Sequence, residues 1–177
     1  MGTHNRLLKL GEGAFLEVIA VNPGAPVPNR PRWFGLDDPY VRESLERRPR
    51  LLGWVVRTPD IYKVQAKTSF SLGEPVFVSR GKLSWHFGLP ADGRLLASGM
   101  LPYLIAWSTP EHPAQQLENL GCTLERLEIV HPHAEWLAPI LSDVGAAGLV
   151  KLTSLENNAA PSLKAHIRTP TGLKILG

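Results

Sequence analysis

Between Thr3 and Val21 two short runs of alternating character, His4–Leu10 and Ala14–Val21, flank the triplet Gly11-Glu12-Gly13. Runs this short, broken by Gly-x-Gly, predict a β-hairpin and not a helix. Strand side chains alternate with a period of two, so Phe15, Glu17 and Ile19 share one face. A carboxylate in that company is expensive to bury unpaired. Either the face lines a wet cleft, or Glu17 has a cation to hold. By the same alternation His4 and Asn5 point to opposite faces, so at most one stands beside Glu17.

The remainder is cut into equally short pieces. Asn22–Tyr40 carries four prolines before Trp33 and another at Pro39, a density that forbids a regular ladder. It predicts an irregular crossover pinned by Trp33 and Phe34, followed by a short polar helix within Val41–Arg50. Leu51–Thr58 reads as a buried strand, and Pro59-Asp60 opens a short helix over Ile61–Thr68. Glu74–Ser79, Lys82–Leu89 and Met100–Trp107 are three more strands, divided by Arg80-Gly81 and by Pro90-Ala91-Asp92-Gly93.

That order then recurs. Leu124–Val130 is a strand, and Pro132–Val144 places Trp136, Leu137, Ile140, Leu141 and Val144 at helical spacing. Val150–Leu155, Leu163–Arg168 and Gly172–Leu176 follow as strands, with a tight turn at Thr169-Pro170-Thr171-Gly172. Two βαβββ units in series are a modular signal. The opening hairpin then reads as the last two strands of a further unit lacking its initial strand and helix. The expected fold is α+β, one compact unit: a partial module and crossover over 1–50, a second module over 51–120 and a third over 121–177.

Charge and composition narrow the function. The net charge of +3 is too small and too spread for nucleic acid, and Arg47-Arg48-Pro49-Arg50 has Glu43 and Glu46 beside it. The single Cys122 rules out a disulfide within the chain and fits a reducing compartment. No charged-then-apolar leader opens the chain, and no apolar run approaches the roughly 20 residues that span a membrane. A soluble, cytoplasmic protein without nucleic-acid or membrane partners is the expectation. HExxH, GxSxG, P-loop and dinucleotide signatures are all absent, and Gly11-Glu12-Gly13 is a turn and not a phosphate cradle.

Several segments taken together carry a family resemblance. They are Gly2-Thr3-His4-Asn5-Arg6-Leu7-Leu8, Phe15-Leu16-Glu17-Val18-Ile19-Ala20, and Arg30-Pro31-Arg32-Trp33-Phe34-Gly35-Leu36-Asp37. Ser79-Arg80-Gly81, Leu101-Pro102-Tyr103-Leu104-Ile105-Ala106-Trp107, His131-Pro132 and Thr169-Pro170-Thr171-Gly172 complete the set. The chain resembles the glyoxalase-like branch of the vicinal oxygen chelate superfamily over nearly its whole length. The resemblance implies paired βαβββ modules whose curved, mostly antiparallel sheets enclose a cleft. It also implies a divalent metal held there, in the enzymes, by His, Glu or Gln side chains from the strands. Glu17 falls where such families place a carboxylate ligand.

One departure bears on that metal. Relatives usually begin with a strand and helix ahead of the Gly-Thr-His-Asn motif, and that first strand commonly brings a His ligand. Here Met1 stands immediately before Gly2, and the second module offers Trp54 and Ile105 at the analogous places. Two activities stay open. The first is a metal-dependent lyase, isomerase or dioxygenase in which Glu17 is ligand or base, with His4 as the other candidate ligand. The second is metal-free binding or sequestering of an apolar or anionic small molecule.

Other candidate ligand contacts follow from residue type. Asn5 shares its strand with His4 as an alternative neighbour of Glu17. Arg80 offers a guanidinium that matches carboxylate geometry. Trp54, Trp85 and Trp107, with Tyr103 and Phe15, supply either apolar cleft walls or ordinary core. Alternation sets Trp85 against His86, and Trp85 is the choice for the cleft. Glu111-His112-Pro113 follows closely enough to form a rim. A module short of a strand leaves an open sheet edge, which predicts a homodimer.

Overall fold

The computed structural model describes residues 1–109, 112–155 and 160–177. Strands β1 (Thr3–Lys9) and β2 (Phe15–Val21) form an antiparallel hairpin in which Leu7 opposes Glu17 and Lys9 opposes Phe15. The hairpin is a sheet by itself, hydrogen-bonded along its length to neither of the larger ones. Two strands alone are marginal in water, so packing must hold it. Leu10 supplies that packing: it is buried in the core, and its carbonyl accepts from the Leu124 amide at 3.4 Å.

The proline-rich crossover is irregular, as its composition predicts, but it is also a structural wedge. A 3-10 turn at Trp33–Gly35 delivers Trp33 and Phe34 onto the second sheet. Phe34 meets Tyr103 edge-on at 4.9 Å between centroids, and both rings meet Phe87. Helix α1 (Pro39–Arg47) then starts on the Asp38 carboxylate, which accepts from the Tyr40 and Val41 amides, with Pro39 in the first turn.

The next element is β3 (Val55–Arg57), three residues where the sequence predicts eight. Its neighbour explains the shortening. A 3-10 turn at Leu96–Gly99 presses on the incoming chain so closely that a Cβ on Gly99 would lie 2.0 Å from the Leu52 carbonyl oxygen. The same turn delays β6, expected from Met100, until Tyr103. Helix α2 (Ile61–Gln65) is capped by Asp60, which accepts from the Lys63 amide at 3.0 Å. Strands β4 (Glu74–Arg80), β5 (Leu83–Leu89) and β6 (Tyr103–Trp107) complete a sheet of order β3-β6-β5-β4, with β3 parallel to β6.

The last part contains β7 (Thr123–His131), α3 (Ala134–Asp143), β8 (Val150–Ser154), β9 (Ser162–Thr169) and β10 (Gly172–Leu176). Element order repeats that of the preceding segment, but the sheet is ordered β10-β9-β7-β8. Its first strand is internal, parallel to β8 and antiparallel to β9, whereas β3 lies at a sheet edge. The molecule is therefore mixed α+β and mostly sheet, and the second and third segments share an element order without sharing a strand order. Leu127, Ile129, Leu163, Ala165 and Ile167 are buried with Leu137, Ile140 and Leu141 of α3. Among the described residues no helix is long and apolar enough to cross a membrane.

Candidate functional site

Register decides which side chains share the hairpin's covered face. Thr3, Asn5, Phe15, Glu17 and Ile19 are half-buried and Lys9 is buried, with Leu7 and Val21 at the exposed margin of that face. On the other face His4, Arg6, Val18 and Ala20 are exposed, and Leu8 and Leu16 are half-buried against the core. Glu17 therefore looks toward the body of the protein. Its hydrogen-bond partner is Asn5, whose side-chain N–H donates to Glu17 Oε1 diagonally across the hairpin. His4 is on the exposed face, so the structure brings Asn5 and not His4 to the carboxylate.

One step along the same face, about 7 Å at two residues of strand rise, Phe15 begins a run of rings. Phe15 lies 5.7 Å from His112, His112 lies 6.4 Å from Trp107, and Trp107 lies 5.1 Å from Trp85. This run joins the hairpin to the second sheet. Trp85 opposes Trp107 and Phe87 opposes Ile105 in the β5–β6 ladder, so these residues share one face. His86 is on the other face, against Phe77 and Tyr62 of α2. Alternation had placed Trp85 and His86 on opposite sides, and the structure agrees.

His112 is the residue that sequence reasoning underused. It is 8% exposed and is held by its own turn, since the Ala114 amide donates to Nδ1 at 3.2 Å. Burial, assisted by the charge of Arg57, holds its pKa below the ordinary value of 6.5. A neutral ring that accepts at Nδ1 carries its proton on Nε2. That N–H has no hydrogen-bond partner among the described residues. Trp107 adds a second unspent donor, because its Nε1 is buried without a partner. The buried Trp107 N–H, left without a partner, costs about 1–3 kcal/mol. The signal in the sequence was the proximity of His112 to Trp107; the hairpin contact was not readable there.

The other candidates lie apart from this cluster. Trp54 is buried just before β3 and donates its Nε1–H to the Met100 carbonyl at 3.1 Å, a packing position. Arg80 ends β4 opposite Leu83, exposed on the sheet edge farthest from β6. Glu111 is outside the described residues. Tyr103 is fully buried, its hydroxyl donated to the Arg94 carbonyl at 2.7 Å. An open groove of about 310 Å³ lined by Gln65, Phe70, Leu72 and Glu74 shares no residue with the Glu17 cluster.

A divalent ion of the kind implied by the resemblance requires several charged or imidazole ligands converging on one point. Among the described residues no three His, Cys, Asp or Glu side chains converge in that way. Glu17 has an amide beside it, and His4 faces away. The described residues do not fit a complete metal site.

Two four-stranded sheets, a separate hairpin and a few short helices make a mixed α+β domain, with the Glu17–Asn5 pair and the aromatic run where the hairpin meets the second sheet. The chain matches the family described as glyoxalase-like domain over residues 1–145, most of its length, and it belongs to that family. No curated protein and no solved structure matches it.

Proposed function

We propose that this glyoxalase-like protein binds a small molecule between the covered face of the hairpin and the β6 end of the second sheet. The observation that carries the reading is the half-buried Glu17–Asn5 pair beside Phe15, His112 and Trp107. A carboxylate already holding one amide N–H still has acceptor capacity. It suits a ligand hydroxyl or amine, and the rings suit an apolar body. In an enzyme Glu17 would be the group positioned to take a proton from such a ligand. Metal-dependent lyase or dioxygenase chemistry is the less supported version, because among the described residues Glu17 belongs to no cluster of three metal-binding side chains.

The test uses protein purified without chelator, with benzyl alcohol as a neutral hydroxyl probe. Tryptophan fluorescence should change saturably on titration, and Glu17→Ala should weaken binding roughly tenfold, the worth of a hydrogen bond to a charged group. Elemental analysis should find no stoichiometric metal in either protein. An unresponsive wild type overturns the site, and a stoichiometric metal lost in Glu17→Ala restores the chelate-enzyme reading.

The homodimer belongs to the same proposal. Among the described residues β1 and β2 pair only with one another, and Val18 on the outer face is 63% exposed. Light scattering at micromolar concentration should give a dimer; a monomer alone counts against it.

A further inference from the structure

We infer that the ligand is a small monoanion, with a hydroxyl or amine at the Glu17 end and a carboxylate held at the other end by Arg57, His112 and Trp107. This rests on the binding site just proposed and adds the chemical class of its occupant. Three observations support it. First, His112 is more than nine-tenths buried, yet its Nε2–H is unspent while Nδ1 is fixed by the Ala114 amide. Second, the Trp107 Nε1–H, on the ring next to His112, is buried and equally unspent. Third, Arg57 stands opposite Ile105 in the parallel β3–β6 pair, which puts it on the face shared by Ile105 and Trp107.

Two neutral donors on neighbouring rings and a guanidinium on the same sheet face suit an oxyanion, because every group offers N–H and none offers a free lone pair. The charge of Arg57 reaches His112, where it helps hold the ring neutral. Lys9, buried on the hairpin face where it opposes Phe15, is paired with Glu12 at 2.9 Å, which leaves Arg57 as the cation at one end and Glu17 as the carboxylate at the other. A dianion would meet Glu17 and be repelled, and a neutral molecule would leave the donors unanswered. Phe15 stands between Glu17 and His112 along this face, and its ring offers apolar surface to the body of the ligand.

The experiment compares benzyl alcohol with 4-(hydroxymethyl)benzoate by tryptophan fluorescence at pH 7.5. The acid should bind the wild type at least roughly tenfold more tightly than the alcohol, as a charge-assisted contact provides. Arg57 is exposed, so Arg57→Gln leaves the fold intact and should reduce that preference to less than about twofold. His112→Asn keeps an acceptor for the Ala114 amide while removing Nε2–H, and should weaken the acid several-fold more than it weakens the alcohol. Arg80→Gln, on the opposite sheet edge, should change nothing. Equal binding of acid and alcohol by the wild type overturns the inference while leaving the binding site standing. A preference that survives Arg57→Gln, or that Arg80→Gln abolishes, overturns it as well. Failure of both probes to bind removes the site itself.

Discussion

The wedge formed by the crossover rests on Gly93, and one methyl group tests it. Gly93 has φ +68°, its amide donates to Pro90, and its carbonyl accepts from Gly35 at 2.8 Å. A Cβ there would lie 2.0 Å from the Arg32 carbonyl oxygen and 2.9 Å from its carbon, far inside non-bonded contact. Both atoms are backbone, so no side chain can swing away. Gly93→Ala should lift the chain at Arg32 and loosen Trp33 and Phe34 from Phe87 and Tyr103. The left-handed conformation costs about 1–2 kcal/mol. Partial exposure of two aromatic side chains adds about 2–4 kcal/mol. For a chain of this size that total lowers Tm by roughly 10–20 °C. Gly81→Ala is the matched control: φ is +59°, but nothing lies within 4 Å of its Cβ, so only the backbone cost of about 1–2 kcal/mol remains. Paired thermal melts followed by circular dichroism separate the two. If Gly93→Ala melts within a few degrees of Gly81→Ala, the crossover does not seat on the second sheet as described.

Leu10→Ala should cost about 2–5 kcal/mol, the range for a buried leucine. It should raise hydrogen exchange in β1 and β2 well before β5 and β6; hairpin amides that keep their protection would show that Leu10 is not its anchor. Stability should also fall on acidification in two windows. His112 is lowered by burial and then by Arg57, and His131 by burial and then by His133, so each binds a proton less readily folded than unfolded. Their contribution is complete above the unfolded value of 6.5 and is lost as pH drops through the folded values. Asp37, where the Arg32 amide and guanidinium outweigh the opposing effect of burial, and Glu128, held mainly by His166, add a second loss below about pH 4.5. A urea midpoint that stays constant from pH 7.5 to 5.5 would refute the histidine contribution.

Local chemistry alone determined the hairpin, because Gly-x-Gly between alternating runs admits few conformations and alternation fixes which residues accompany Glu17. It also determined the strand-and-helix order of the later segments and the opposition of Trp85 to His86. These follow from spacing along one chain. Strand pairing was not fixed by spacing. The sequences of 51–120 and 121–177 present the same element order, yet one puts its first strand at an edge and the other puts it inside the sheet. Pairing depends on long-range contacts that neither strand's own residues specify. The site divides in the same way. Glu17 and Asn5 were legible because they lie across one local turn. His112, 95 positions beyond Glu17 in sequence, joined Phe15 only because the chain after β6 folds back beneath the hairpin. Which histidine joined the covered face of the hairpin was a question of tertiary packing, and packing brought His112 against Phe15 while His4 faces outward.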